Sequence, residues 1–147
     1  MIWKPNVTVA AVIEQDGKFL LVEEETAEGA MFNQPAGHLE DGETLLDAVT
    51  REVREETAWY FTPTALLGVY LWKHPKRDIT YLRFAFTGEI GDHDPAQKLD
   101  DGILRACWLT ADEVRASHAR HRSPQVLTCI EHHLAGQRFP LSVLTHL

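Results

Sequence analysis

The chain of 147 residues carries 22 acidic and 14 basic side chains, and its formal net charge of −8 disfavours a nucleic-acid polymer as partner. The length suits one domain with its own core, and we expect a single domain over residues 1–147. No apolar run approaches the roughly 18 residues that span a bilayer, and the amino-terminal residues lack the apolar stretch of a signal peptide. We therefore expect a cytoplasmic protein without a membrane partner.

The first predicted elements are two strands. Residues 7–13 (VTVAAVI) and 18–23 (KFLLVE) are mainly apolar, and Gln15, Asp16 and Gly17 between them are typical of a turn. We expect the two strands to pair as an opening hairpin. The acidic run at residues 23–25 is then typical of a solvated strand end.

The next element is a helix over residues 43–57, predicted from an apolar stripe at helical spacing: Leu45, Leu46, Val49 and Val53. Its last turns carry Glu52, Glu55 and Glu56, which at about 100° per residue lie beside this stripe, at the rim of the core. Carboxylates at a helix carboxyl terminus face the negative end of its dipole and repel one another. A bound cation explains them best. Oxygen ligands favour a hard divalent ion, Mg²⁺ or alternatively Mn²⁺.

Seven residues at fixed spacing extend this pattern: Gly37, Glu43, Arg51, Glu52, Val53, Glu55 and Glu56. Together they resemble the signature of the Nudix (MutT-like) hydrolases. The chain departs from that signature at the helix exit, where Ala58 and Trp59 replace a glycine and an aliphatic residue. Since the glycine suits a positive φ, the departure concerns the exit geometry and leaves the acidic residues in place.

The resemblance implies an α/β fold, the Nudix α/β/α sandwich with a mixed sheet and a catalytic loop-helix-loop. It also implies metal-dependent hydrolysis of phosphoanhydrides, with the Gly37 carbonyl as a metal ligand. We assign Glu52, Glu55 and Glu56 as the other ligands and Glu55 as the general base. The family comparison suggests that Arg51 and Glu43 hold the loop-helix-loop together through a charge-assisted contact.

Further along, residues 65–72 and 80–87 predict a second hairpin whose connection, residues 73–78, is basic. This tip and Arg83 form a positive patch, which is either a solvated loop or a clamp for the outer phosphates. His38 is either a loop residue or a phosphate contact. The candidates for stacking on a heterocycle, each also a candidate for the core, are Phe32, Trp72, Tyr81 and Phe86.

A turn-rich, acidic segment at residues 91–102 predicts a mobile loop. The family resemblance implies that an acid shortly before Trp108 reaches the metals or activates water. Asp101 is the first choice for this acid and Asp100 the second.

The carboxyl-terminal part predicts two helices. Thr110 and Glu113 form a capping box for a helix to about residue 117, and Ser123 and Pro124 start a last helix that Gly136 ends. Two cysteines in apolar contexts, Cys107 and Cys129, are expected as buried, reduced thiols.

The motif specifies a diphosphate and leaves the rest of the substrate open. Within the family, runs such as NQPAGHLEDGETLLDA and GQRFPL most resemble the NudJ phosphatase branch. This resemblance implies nucleoside tri- and diphosphates, or thiamine-type diphosphates, as substrates, with orthophosphate release. Alternatives are an ADP-ribose pyrophosphatase, because Pro75 stands where that subfamily has a proline, and a non-catalytic nucleotide sensor. A monomer is expected by default.

Overall fold

A computed structural model describes residues 2–147. The strands are β1 (Asn6–Val12), β2 (Glu14–Gln15), β3 (Lys18–Thr26), β4 (Gly29–Asn33), β5 (Ala36–His38), β6 (Trp59–Lys73), β7 (Thr80–His93) and β8 (Ile103–Thr110). The helices are α1 (Leu45–Thr57), α2 (Ala111–Ala116) and α3 (Gln125–Leu134). Short 3-10 turns lie at His118–Arg120 and Leu141–Val143. Among residues 2–147, no helix combines the length and apolarity that a membrane crossing requires.

The strands form two sheets. One has the order β5-β1-β7-β6 and is mixed, because β1 and β7 run parallel and the other pairs are antiparallel. In the other, β3 pairs antiparallel with β2, β4 and β8. Helix α1 packs on one side of the sheets and α2 and α3 on the other, which confirms the predicted α/β/α arrangement.

The core consists of two apolar clusters, one on each side of the sheets. The α1 side is built from Val9, Ala11, Ile13, Leu20, Ala48, Val49, Val53, Phe61, Leu66 and Phe86. On the α2 and α3 side lie Val12, Phe19, Leu21, Phe32, Leu67, Ala85, Cys107, Val114, Cys129 and Ile130. Both cysteines are buried free thiols, as expected.

The predicted opening hairpin is wrong in its main pairing. Strand β1 has β5 on one edge and β7 on the other, so neither edge is left for β3. Only the two-residue β2 forms a hairpin with β3, around a turn in which Asp16 and Gly17 have φ of 52° and 77°. The chain thus passes from one sheet to the other between β1 and β3.

Helix α1 starts two residues later than predicted. Thr44 is extended, and its side chain accepts a hydrogen bond from the Asp47 amide (3.1 Å), which makes it the N-cap. At the other end, Ala58 adopts the left-handed conformation (φ 63°), with its amide bonded to the Arg54 carbonyl. The carboxyl end of α1 therefore has the left-handed conformation that glycine usually supplies, although the residue here is alanine.

Later elements follow the predictions closely. The second hairpin is confirmed and is longer than predicted, since β6 and β7 pair from Trp59 to His93. The capping box of Thr110 and Glu113 is present at α2. At α3, the hydroxyl of Ser123 accepts a hydrogen bond from the Gln125 amide at 3.1 Å.

Candidate active site

A cluster of three carboxylates forms where α1 ends. Glu52 and Glu55 on the helix and Asp100 on the loop before β8 each offer an oxygen, and these oxygens lie within 4.8 Å of one another. Three oxygen ligands at this spacing match what a hard divalent cation needs. The donor set therefore fits the predicted metal class.

Hydrogen bonds to the carboxyl end of α1 bring the loop to this cluster. The Asp100 amide donates to the Glu55 carbonyl (3.0 Å), and the Gln97 side chain donates to the Arg54 carbonyl (2.7 Å). The loop thus supplies a donor to the Glu55 carbonyl in the last turn, and a second donor to the Arg54 carbonyl, which also accepts the Ala58 amide. Because β7 continues to His93, the loop covers residues 94–102, fewer than predicted, and it is anchored to the helix.

The two neighbouring loop acids have different surroundings. Asp101 points into solvent, with a side chain 99% exposed whose ion pair is with Lys98 at 3.8 Å. Asp100 joins the cluster instead. The structure thus reverses the predicted order of preference, because the hydrogen bond from Asp100 to α1 turns that residue towards the glutamates.

Gly37 on β5 lies against the Glu52 side chain. A Cβ added at Gly37 would overlap the carboxyl group of Glu52, so only glycine permits this approach. Glu56 lies against Ala36, the residue before Gly37, and accepts a hydrogen bond from the Ala36 amide at 2.9 Å. The strand and helix that carry the predicted ligands are thereby in direct contact.

Burial and like charges raise the pKa of two of the glutamates. Burial raises the pKa of Glu52 to about 7, with Glu55 and Asp100 adding to the shift against the opposing effect of Arg51. Burial also raises the pKa of Glu56 to about 9, against a hydrogen bond from Ala36. A cation bound beside them would favour the ionised form of both groups.

Arg51 connects the helix to the preceding loop. Its Nε and one terminal nitrogen donate to the two carboxylate oxygens of Glu43, at 3.0 and 2.7 Å. The same guanidinium donates to the His38 carbonyl (3.0 Å) and to Glu52 (2.8 Å). The contact with Arg51 lowers the pKa of Glu43. This bidentate pair is the contact that was predicted from the motif.

Glu52 of the acidic cluster lines a cleft of about 1300 Å³. Gly37, Glu52 and Glu56 also line it, and so do Trp72 and Tyr81. His38 and residues 74–77 of the hairpin tip also line it, so the predicted basic patch borders the cleft. The cleft is large enough for a substrate that joins a diphosphate to an organic group.

The predicted substrate contacts divide into two groups. Trp72 and Tyr81 are paired across β6 and β7 and face the cleft. Phe32, 4% exposed, packs in the core beneath Arg120, and Phe86 is fully buried. The structure therefore contradicts a stacking role for Phe32, because its strand directs the ring inward.

Arg83 lies in the cleft wall and is only 4% exposed. Its guanidinium donates to the side chains of Gln34 (2.9 Å) and Asn33 (3.0 Å), both neutral acceptors. Its Nε is buried without a partner among residues 2–147. The charge is thus held in place and stays uncompensated by these contacts.

Sequence reasoning missed several cleft residues. The acidic run lies within β3, and two of its three carboxylates are paired: Glu23 with Arg105 and Arg120, and Glu24 with Arg122. The ion pairs of Arg120 and Arg122 attach the segment before α3 to β3 and so build one wall. Two amide side chains of the wall, Asn33 and Gln125, have no motif that could have identified them.

Comparisons with known proteins agree with this geometry. Residues 3–128 match the NUDIX domain. The chain is 41% identical over 143 residues to phosphatase NudJ of Shigella boydii serotype 4, covering 97% of this chain and 92% of that protein. A NUDIX hydrolase structure from Nitrosomonas europaea superposes with a TM-score of 0.96 at 53% identity, covering 98% of both chains. A MutT NUDIX hydrolase from Burkholderia pseudomallei shares the fold, with a TM-score of 0.75 at 20% identity, covering 88% of this chain and 98% of that one.

Proposed function

The chain belongs to the Nudix hydrolase family, and from this premise we propose that it removes orthophosphate from small heterocyclic di- and triphosphates in a Mg²⁺-dependent reaction. Mn²⁺ is the alternative ion. Nucleoside tri- and diphosphates and thiamine-type diphosphates are the proposed substrates. The supporting observation is a carboxylate cluster whose member Glu52 lines the same cleft as the aromatic side chains of Trp72 and Tyr81. The single domain over residues 1–147, the cytoplasmic location and the monomeric state stay predictions.

The proposed ligands of the cation are Glu52, Glu55 and Asp100, with Glu56 and the Gly37 carbonyl beside them. A bound Mg²⁺ would neutralise phosphate oxygens and lower the pKa of a coordinated water. The raised pKa values of Glu52 and Glu56 support this assignment, since both carboxylates ionise more readily beside a cation. Their burial would also exclude bulk water from the reacting phosphate.

Glu55 is the proposed general base. Its side chain is 39% exposed and contacts Arg51 at 3.4 Å, so it combines access to solvent with a fixed orientation. It would accept the proton of the attacking water as the oxygen bonds to phosphorus, and the phosphoanhydride oxygen leaves with its electron pair. Arg51 would act as a positioning residue through Glu43, Glu52 and Glu55.

The organic group is proposed to lie beside the aromatic side chains of the cleft. Trp72 and Tyr81 would pack against its ring, while His38 and the basic hairpin tip would lie beside the phosphates. Arg83 would supply positive potential from within the wall. The fixed hydrogen bonds of its guanidinium support this role, because they hold the charge without neutralising it.

A substrate panel with Mg²⁺ tests the proposal. We expect orthophosphate release from nucleoside di- and triphosphates or thiamine-type diphosphates, and a loss of at least about a hundredfold in turnover for Glu55→Gln. Glu89→Gln, an exposed change on β7, is the matched control and should keep its turnover. Full activity of Glu55→Gln would refute the assigned base.

Two other outcomes would favour the alternatives. Preferential cleavage of ADP-ribose to AMP would replace the NudJ-like assignment with the ADP-ribose pyrophosphatase class. Nucleotide binding without any metal-dependent turnover would indicate a sensor. The presence of all the acidic residues of the motif argues against a sensor.

A further inference from the structure

The loop between β7 and β8 carries one of the proposed metal ligands and is mostly exposed. Within residues 91–100, every residue except Gln97 and Leu99 is exposed, Asp100 included. Apolar packing therefore does little to hold the middle of this loop, since few of its side chains are withdrawn from water. Hydrogen bonds decide where the Asp100 carboxylate lies.

Both ends of the loop are attached to neighbouring strands. At its start, the rings of Trp59 and His93 stack with their centroids 4.5 Å apart. At its end, the Gly102 carbonyl accepts a hydrogen bond from the Glu25 amide at 2.9 Å. These two anchors leave residues 95–101, the segment that contains the metal-binding acid, to be positioned by contacts of its own.

Gln97 connects this segment to α1. Its side-chain Nε2 donates to the Arg54 carbonyl at 2.7 Å, and the Asp100 amide donates to the Glu55 carbonyl at 3.0 Å. Arg54 and Glu55 are consecutive residues of the helix, so the two hydrogen bonds end on neighbouring carbonyls. One bond alone would let the loop rotate about it, and the second bond removes this freedom.

The position that these bonds fix is one that the charges oppose. An oxygen of Asp100 lies within 4.8 Å of carboxylate oxygens of Glu52 and Glu55. Negative charges at this separation repel one another, so in the absence of a cation the repulsion drives Asp100 away from the helix. The hydrogen bond of Gln97 opposes that movement.

Building on the metal site of the function proposed above, we propose that Gln97 is a positioning residue that holds the Asp100 carboxylate in place for the cation. It acts through Asp100 and is not itself a ligand, because its amide nitrogen is directed to the Arg54 carbonyl. Removing a group that orients a metal ligand typically costs ten- to hundredfold in metal affinity, on the order seen for such partners in general.

Binding of Mn²⁺ tests this role without turnover. The electron paramagnetic resonance signal of free Mn²⁺ gives the dissociation constant for the full chain in the absence of substrate. We expect Gln97→Met, which keeps the side-chain length and removes the donor, to weaken Mn²⁺ binding about tenfold. Gln97→Ala should have the same effect and replaces Gln97→Met if that variant fails to fold, as judged by circular dichroism.

A double-variant cycle shows whether Gln97 acts through Asp100. Asp100→Ala removes the ligand that Gln97 positions. Adding Gln97→Met to Asp100→Ala should therefore weaken Mn²⁺ binding by less than about a further twofold. A side chain that only stabilised the fold would weaken binding equally with and without Asp100.

Gln137→Met is the matched control. The Nε2 of Gln137 also donates to a backbone carbonyl, that of Leu67, at 2.9 Å, and Gln137 lies outside the carboxylate cluster. This variant should bind Mn²⁺ as the wild type does. An unchanged dissociation constant in folded Gln97→Met, an equal loss in Gln137→Met, or an equal effect of Gln97→Met with and without Asp100 would overturn the inference.

The same measurements separate this inference from the proposed function. Wild-type Mn²⁺ binding that Asp100→Ala weakens and Gln97→Met leaves unchanged would reject the role of Gln97 alone. A wild type that does not bind Mn²⁺ would also overturn the inference. Absence of Mg²⁺-dependent hydrolysis across the substrate panel is the result that would reject the proposed function.

Discussion

The backbone of Gly37 and the carboxyl group of Glu52 are so close that a single added methyl group would overlap the carboxylate. Gly37 belongs to β5 and Glu52 to α1, so this approach joins the strand of the motif to its helix. The raised pKa of Glu52 arises largely from the burial that this packing produces. The position of the carboxylate therefore depends on a residue without a side chain.

We expect Gly37→Ala to reduce kcat/KM by about a hundredfold, because a displacement near 1 Å at a reacting centre has an effect of that order. Steady-state kinetics with Mg²⁺ measures the change. Gly91→Ala is the control, since a Cβ there meets its nearest atom, on Tyr60, at an ordinary 3.8 Å. Wild-type kinetics in Gly37→Ala would contradict the close packing around Glu52.

Asp100 and Asp101 provide a matched pair of variants. Asp100→Asn should reduce turnover about tenfold or more and weaken the dependence on Mg²⁺, because it removes a charged oxygen from the cluster. Asp101→Asn should stay within about twofold of the wild type, as expected for an exposed change outside the cluster. A larger loss of turnover in Asp101→Asn than in Asp100→Asn would instead support Asp101, the first choice from the sequence, as the loop acid of the site.

Arg51→Lys tests the bidentate contact with Glu43. Lysine keeps the charge but cannot reproduce two parallel hydrogen bonds, so we expect a loss of about 1–2 kcal/mol in unfolding free energy and reduced turnover. Denaturant unfolding measures the stability. Arg54→Lys, on the same helix with its guanidinium over the Tyr60 ring, is the control and should be affected less. Equal losses in the two variants would argue against a special role for Arg51.

Stability without metal should fall as pH rises. Glu52 and Glu56 have pKa values above the unfolded value of 4.5, at about 7 and about 9, so between those limits the folded protein binds more protons than the unfolded chain. Their contribution to the free energy of unfolding is fully present below about pH 4.5 and is lost as pH rises through the folded pKa values. In EDTA, we expect a decrease on the order of a few kcal/mol between pH 5 and pH 8.

Denaturant unfolding at both pH values measures this decrease. Added Mg²⁺ should restore stability chiefly at pH 8, because protons compete with the cation at pH 5. The double variant Glu52→Gln, Glu56→Gln should show a flatter profile. A double variant with the same stability difference between pH 5 and pH 8 as the metal-free wild type would contradict the direction of both pKa shifts.

The loop-helix-loop was accessible from the sequence because its determinants are local. The apolar stripe of α1 and the spacing of Glu52 and Glu55 follow from helix periodicity, and the predicted contact of Arg51 with Glu43 lies within the same motif. Ala58 is an exception to the local preference for glycine at a left-handed helix end. The chain adopts the left-handed exit without glycine, since the Ala58 amide bonds to Arg54 and its carbonyl accepts the Asp94 amide.

The wrong predictions concern contacts between distant segments. The opening hairpin failed because β5 and β7, far along the chain, occupy both edges of β1. Phe32 was misassigned because its ring could face the core or the cleft, and the choice depended on packing against α3 and the segment before it. Neither the pairing of β1 nor the packing of Phe32 can be predicted from the residues next to them in the sequence.

By itself, the sequence determined the chemistry of the reaction, because the spacing along one helix places its carboxylates on one side wherever that helix lies. Tertiary structure decided what completes the site. Hydrogen bonds from the loop to α1 select Asp100 over Asp101, and strand pairing places Trp72 beside Tyr81. The wall that carries Gln125 exists only because β4, β7 and α3 meet, and hydrogen bonds between such distant segments have no local signature.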